Sequence, residues 1–128
     1  MFGKLEMFQM AAGMATHAAE RQSVLAQNIA NADTPGYRAK DVASFSATFR
    51  AVEGGQGLRS TRAGHLLGPQ DAQAQPRLFD VSGDAAPNGN TVSLEQQMMK
   101  GAETKAQHDM AMAVYKSSMT ILRHSIGR

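Results

Sequence analysis

One stretch of this sequence decides its fold: Ala26-Gln27-Asn28-Ile29-Ala30-Asn31-Ala32-Asp33-Thr34-Pro35-Gly36-Tyr37. It combines features that end a helix and then redirect the chain. Asn31 and Asp33 tolerate left-handed backbone geometry and bond readily to nearby backbone groups. Pro35 prevents a helix from continuing, and Pro35 and Gly36 together suit the centre of a type II turn. We therefore predict that a helix ends here and that a sharp turn follows it.

The residues before this turn, about Met1 to Asn31, predict one continuous helix. Small and apolar side chains recur there at alternating spacings of three and four, which is an a/d seam for packing against another helix. The seam residues are Leu5, Phe8, Ala12, Ala15, Ala19, Gln22, Ala26 and Ile29, with Leu25 widening the seam near its end. Because Ala allows close approach but buries little area, an isolated pair of such helices would be marginally stable.

The C-terminal part, about Ser93 to Ser125, predicts a second long helix. Its start, Ser93-Leu94-Glu95-Gln96, matches a capping box, and Gly127 can end it. Its own seam comprises Met98, Gly101, Lys105, His108, Met112, Tyr115, Met119, Leu122 and Ile126. The first half of this seam is mixed in character, and the second half is strongly apolar.

Between the two helices the chain is rich in residues that break helices. All four prolines and eight of the twelve glycines lie within residues 34–91. Apolar residues at helical spacing predict a short helix over Asp41 to Val52, although Phe45, Ala47, Phe49 and Ala51 also alternate as in a strand. Residues 53–91 have only short apolar islands, so we predict that they are largely irregular.

The predicted fold is therefore all-α and has three parts. Residues 1–33 form the N-terminal helix, residues 34–91 form the turn, the short helix and an irregular segment, and residues 92–128 form the C-terminal helix. No apolar stretch approaches the roughly 20 residues of a membrane span. Glu6 and the polar residues that follow it interrupt what would be a signal peptide, so we expect no cleaved leader.

Composition argues against several classes of function. A net charge of +2, without a run of Lys or Arg, is weak support for nucleic-acid binding. The absence of Cys excludes disulfides and thiolate chemistry. The four histidines, His17, His65, His108 and His124, lack the spacing of metal ligands. The carboxylates are scattered through the Gly- and Pro-rich third, so we predict no catalytic residues, no cofactor and no metal.

A family resemblance accounts for what the turn alone does not. An ordinary helix end would explain the Pro and Gly of residues 26–37. It would not require Asn at both positions 28 and 31, or Tyr37. The stretch has the form A-x-N-I-A-N-x-x-T-P-G-Y, which closely resembles the N-terminal motif of the flagellar rod and hook family of axial proteins. The matching positions are Asn28, Ile29, Ala30, Asn31, Thr34, Pro35, Gly36 and Tyr37.

Three further segments are similar to segments of the proximal rod proteins in that family. They are Arg38-Ala39-Lys40-Asp41 followed by Phe45, the segment from Thr61 to Leu66, and Asn88-Gly89-Asn90-Thr91-Val92-Ser93-Leu94-Glu95. Ser93 stands where the family usually has an acidic residue, but both residue types cap helices. Residues 70–87 match no pattern of the family. The resemblance thus covers most of the chain.

The resemblance implies a fold and an assembly. In this family the two terminal helices pack antiparallel as a coiled coil, and subunits stack helically into a tube. The family leaves the cell through the flagellar type III export apparatus without a cleaved signal and is required for motility. A proximal rod subunit would lie in the periplasm-spanning rod near the inner-membrane ring and the export gate. Its expected partners are other copies of itself, the adaptor protein FliE and other rod proteins, with no nucleic acid and no small-molecule substrate.

Assembly would place particular residues at contacts between subunits. We expect the helices to fold as they dock, burying their seams against neighbours. The predicted assembly seam comprises Leu5, Phe8, Ala12, Ala15, Ala19, Gln22, Leu25, Ile29, Met98, Met112, Tyr115, Met119, Leu122 and Ile126. Gln22, Asn28 and Asn31 are candidates for setting the register of the helices, since polar residues on a seam often have that role.

Other functions are compatible with parts of the sequence. A free helical hairpin that acts as a chaperone or regulator predicts a stable folded monomer or dimer. A component of a secreted pore or needle shares the seams but does not need the Thr-Pro-Gly turn. A nucleic-acid binder has little support from charge, and an enzyme has the least support of all.

Overall fold

The computed structural model describes residues 2–53 and 77–127. Over these residues the chain forms α1 (Phe2–Ala30), β1 (Lys40–Val42), α2 (Phe45–Glu53), β2 (Leu78–Asp80) and α3 (Leu94–Ser125). The predicted helical fold class is confirmed, because the two terminal helices dominate the structure. The segment from Thr61 to Leu66, which resembled the family, lies outside the described residues.

The two long helices pack antiparallel along their whole length. At one end, which we call the tip, the Asn28 amide bonds to Gln97. At the other, which we call the open end, the hydroxyl of Ser118 lies 3.2 Å from the sulfur of Met7, and the rings of Phe8 and Tyr115 meet edge to face. The antiparallel pair that the resemblance implied is therefore present within one chain.

The helix ends follow the sequence signals. The Ser93 hydroxyl accepts a hydrogen bond from the backbone N–H of Gln96 at 3.4 Å, as expected of a capping residue at the start of α3. Gly127 has a φ of 74°, a left-handed conformation that favours glycine and that closes the helix at its C-terminal end.

The buried stripe between the helices is displaced by one residue from the predicted seam. It consists of side chains that recur every seven residues, namely Ala11, Ala18 and Leu25 on α1 and Gln97, Thr104, Ala111 and Ser118 on α3. Ala12, Ala19 and Ala26, which were predicted to be buried, directly follow the buried residues of α1 and are exposed. Within the chain, the buried stripe is therefore displaced by one position from most of the predicted seam, although Leu25, which the prediction included, is buried.

The chain that follows the turn explains this displacement. The buried His17 donates from Nε2 to the Ala43 carbonyl at 2.6 Å, Arg21 bonds to Asp41, and Asn28 bonds to Lys40. These polar residues share one face of α1 because of their spacing of four and seven. That face turns toward β1, and the apolar stripe beside it is left outside the helix contact.

The middle of the chain contains a small sheet that the sequence did not predict. Strands β1 and β2 are antiparallel, with Lys40 opposite Asp80 and Val42 opposite Leu78. The short helix begins at Phe45 rather than at the predicted Asp41, since residues 40–42 pair as a strand. The Ser44 hydroxyl accepts from the N–H of Ala47, which caps the helix at this later start.

Candidate functional site

Asn28 is the centre of the tip, and its side chain is completely buried. Its amide nitrogen donates to the carbonyl of Lys40 at 2.6 Å and to Oε1 of Gln97 at 2.9 Å. Its amide oxygen accepts from the N–H of Lys40 at 3.0 Å and from the hydroxyl of Tyr37 at 3.3 Å. Both donors and both lone pairs are thus used, and one side chain joins α1, α3 and β1.

The predicted type II turn is present. The N–H of Tyr37 donates to the Thr34 carbonyl at 3.3 Å, and Gly36 has a φ of 72°. Asn31 bonds locally as expected, since its amide donates to the Gln27 carbonyl at 2.8 Å. However, neither Asn31 nor Asp33 adopts the left-handed geometry that the sequence allowed. The change of direction is therefore carried by Gly36.

Asn90 holds the turn that follows α1 from across the chain. The buried amide of Asn90 donates to the carbonyls of Asn31, Ala32 and Thr34 at 2.8 to 2.9 Å. The Asn90 side-chain oxygen accepts from the N–H of Val92 at 2.8 Å. The two segments of the family motif, residues 26–37 and 88–95, therefore interlock at the tip.

A buried charge cluster fixes β1 against both long helices. The guanidinium of Arg21 contacts the two carboxylate oxygens of Asp41 at 3.0 and 3.2 Å, and Lys100 Nζ lies 3.0 Å from the same carboxylate. Burial by itself raises the pKa of Asp41. The bonds from Arg21, from the Val42 N–H and from Lys100 outweigh burial, so this pKa lies below its ordinary value of 3.8.

The residues of the motif fall into two groups. Asn28, Asn31, Gly36 and Tyr37 form the bonds and the turn just described. The Thr34 hydroxyl adds a local bond to the Asn31 side-chain oxygen at 3.2 Å. Three members, Ile29, Ala30 and Pro35, have exposed side chains. Contacts within the chain do not account for the identity of these three residues.

The predicted seams of the two helices do meet, but on an open face. In the half of the pair next to the tip they line a groove of about 870 Å³. Its lining includes Ala19, Gln22, Ala26 and Ile29 from α1 and Met98, Gly101, Lys105 and His108 from α3. Toward the open end, Phe8, Ala12, Tyr115, Met119 and Leu122 line a smaller depression of about 360 Å³. Ala15 is partly buried, whereas Leu5, Met112 and Ile126 are exposed.

Sequence reasoning missed several residues of the tip. It gave no role to Arg21, Asp41, Gln97 or Lys100, and it used Asn90 only as part of a motif. One signal for Gln97 was available, because Gln97, Thr104, Ala111 and Ser118 follow one another at intervals of seven. The charge cluster had no such signal, since its members are far apart in sequence and are brought together by the turn.

Two further classes of site are absent from the part of the chain that the structure describes. Within residues 2–53 and 77–127, no helix has both the length and the hydropathy to cross a bilayer. Over the same ranges, no three acidic or histidine side chains are placed to hold a metal ion.

Comparisons with known proteins agree with the motif. The profile of the family described as flagella basal body rod protein matches residues 8–38. A relative named flagellar basal body rod protein FlgB from Agrobacterium fabrum is 32% identical, over 97% of this chain and 95% of its own length. Relatives with the same name from Salmonella typhimurium and Escherichia coli K12 are each 33% identical. These alignments cover 79% and 82% of this chain and 78% and 84% of the relatives.

Proposed function

Because this chain belongs to the FlgB family of flagellar basal body rod proteins, we propose that it builds the proximal part of the rod by packing its open helix face against neighbouring subunits. Membership of the family makes the chain a structural component of the basal body rod. The proposal adds the position in the rod, the helical mode of assembly and the surface that assembles.

One observation supports this proposal most strongly. Among the described residues, most of the large apolar side chains are exposed to solvent. The contact between α1 and α3 is made mainly by small and polar side chains. The exposed apolar residues include Leu5, Met10, Ile29, Met98, Met99, Met110, Met112, Tyr115, Met119, Ile121 and Ile126. Met98 is 71% exposed and Ile126 is 82% exposed. Apolar surface of this extent is typical of an interaction site.

The exposed motif residues fit the same proposal. Ile29 lines the groove between the helices, and Pro35 lies at the surface of the tip. A family motif that preserves such residues is understandable if they contact a neighbour. Ile29 would then be buried in the rod, and Pro35 would present a rigid turn to an adjacent subunit.

The proposal extends to export and to neighbours. The chain would leave the cell partly unfolded through the type III export apparatus, without a cleaved signal, and fold as it docks. A small, polar helix contact suits that route, because docking then adds to the modest stability of the free chain. Its partners would be FliE and other rod proteins, next to the inner-membrane ring and the export gate, and motility would depend on it.

A deletion strain tests the proposed function. We expect cells without this gene to be non-motile and to contain inner-membrane rings without a rod, as seen by electron microscopy of purified basal bodies. The intact gene should restore both rods and swimming. Complete rods and normal swimming in the deletion strain would refute the proposal and favour a free helical hairpin.

Variants of the turn separate assembly from folding. Pro35→Ala or Gly36→Ala should reduce rod number and swimming more than the cellular amount of the protein. For Gly36 the left-handed φ of 72° makes Ala unfavourable by about 1–2 kcal/mol. The matched control is Gly83→Ala, at a glycine of the tip where an added Cβ meets only ordinary contact distances. An equal loss of protein and of rods would contradict an assembly role for the turn.

A further inference from the structure

The two ends of the helix pair carry opposite charge. The tip, residues 28–42 and 78–97, contains the five acidic residues Asp33, Asp41, Asp80, Asp84 and Glu95 and the two basic residues Arg38 and Lys40, a net charge of −3. The open end, residues 2–8 and 116–127, contains three basic residues and one acidic residue with His neutral, a net charge of +2. One end of a copy is therefore electrostatically complementary to the other end of the next.

The two ends also differ in shape. On the tip side, the groove is lined by small residues such as Ala19, Ala26 and Gly101, which leave room for inserted side chains. At the open end, large apolar side chains stand out from the surface, with Leu5 59%, Ile121 50% and Ile126 82% exposed. The larger recess, about 870 Å³ against about 360 Å³, therefore lies in the tip half, and the open end carries projecting apolar side chains.

We infer that the groove next to the tip receives the open end of a second copy of this chain, so that copies associate head to tail. The inference rests on the proposed function and names its contact surface. A contact between two different surfaces leaves one surface of each kind free on every pair, so further copies add until a ring closes or a helical filament forms. A two-fold dimer with tip against tip would bring like charges together, and it would leave the open ends unused.

Engineered cysteines test this contact directly, because the chain has no native Cys. Ala26→Cys places a thiol in the groove, and Ile126→Cys places one at the open end. We expect an oxidised mixture of these two purified full-length variants to give a mixed disulfide dimer, identified by intact mass. The matched control replaces Ala26→Cys with Ala106→Cys, an exposed position of α3 outside the groove lining. The yield of mixed dimer from the control mixture should be lower by at least about fivefold, since surfaces that are not oriented toward each other rarely meet productively.

Charge reversal gives a second, independent measurement. Lys116→Glu with Arg123→Glu, made in the Ile126→Cys chain, should lower the yield of mixed dimer about fivefold, and Asp33→Lys with Asp84→Lys in the partner should restore it. Equal dimer from the Ala106→Cys control, predominant Ala26→Cys homodimer, or no rescue would each overturn the head-to-tail contact. Such a result would leave the rod assignment standing if the deletion strain lacks rods, so failure of this inference is distinguishable from failure of the proposed function.

Discussion

Replacing Asn28 with Ala will lower the free energy of unfolding of the isolated chain by about 3–4 kcal/mol. The substitution removes four hydrogen bonds at a site that water does not reach. It leaves the backbone N–H and carbonyl of Lys40, the side-chain oxygen of Gln97 and the hydroxyl of Tyr37 without that partner. Denaturation in urea, followed by the circular dichroism of the helices, measures the loss.

The same motif contains a matched control. Asn31 lies three residues further along and is only partly buried, and its side chain makes two local bonds, one to the Gln27 carbonyl and one from the Thr34 hydroxyl. Asn31→Ala should therefore cost about 0.5–1 kcal/mol. Equal losses for the two variants would contradict the view that Asn28 joins three parts of the tip.

The terminal helices and the turn could be predicted from the sequence because their signals are local. The Ser93 cap, the type II turn at Pro35 and Gly36 and the glycine after α3 each depend on a few neighbouring residues. These features are present where the sequence indicated them. Local steric rules fix such elements whatever packs against them.

The face that each long helix buries against the other could not be predicted in the same way. Hydrophobic periodicity marked the most apolar stripe, and it assumed that the partner helix of the same chain covers it. In the structure, buried polar bonds from Arg21 and Asn28 to residues 40–41 decide which face of α1 turns inward. Those bonds join residues 12 to 20 positions apart, so no periodicity within one helix reveals them.

This displacement links the fold to assembly. Polar side chains such as Asn28 and Gln97 specify one register within the chain, because each loses its bonds if the helices slide. In the proposed assembly, the exposed apolar stripe beside them would make the contacts between chains, where burial supplies affinity. A hairpin held by polar bonds and an assembly held by apolar burial would then use adjacent faces of the same two helices.

The two-stranded sheet escaped prediction for a related reason. Each strand has three residues, and an isolated two-stranded pair of that length is not stable by itself. It forms here because Asp41 is tied to both long helices by Arg21 and Lys100. The sheet is therefore a consequence of tertiary contacts and not of strand propensity.

Asp41 leads to the second large effect, which depends on pH. Asp41→Asn at neutral pH should lower the free energy of unfolding by about 2–4 kcal/mol, because it removes the carboxylate that lies between two largely buried cations, Arg21 and Lys100. The folded-state pKa of Asp41 lies below the ordinary 3.8, so its carboxylate contributes fully above the ordinary pKa. That contribution is lost as the pH falls from 3.8 through the lower folded value.

The difference between the natural chain and Asp41→Asn isolates this group from the other carboxylates. We expect that difference, measured by urea denaturation, to be constant above pH about 5 and to shrink steadily as acid protonates the folded state. Asp109 is the matched control, since it also accepts a bond from a lysine, Lys105, at 2.8 Å and also has a lowered pKa, but it is exposed. Solvent screens that pair, so Asp109→Asn should leave the pH dependence of the free energy of unfolding unchanged. If the two variants have the same pH dependence, the burial of Asp41 between the helices does not explain its contribution to the free energy of unfolding.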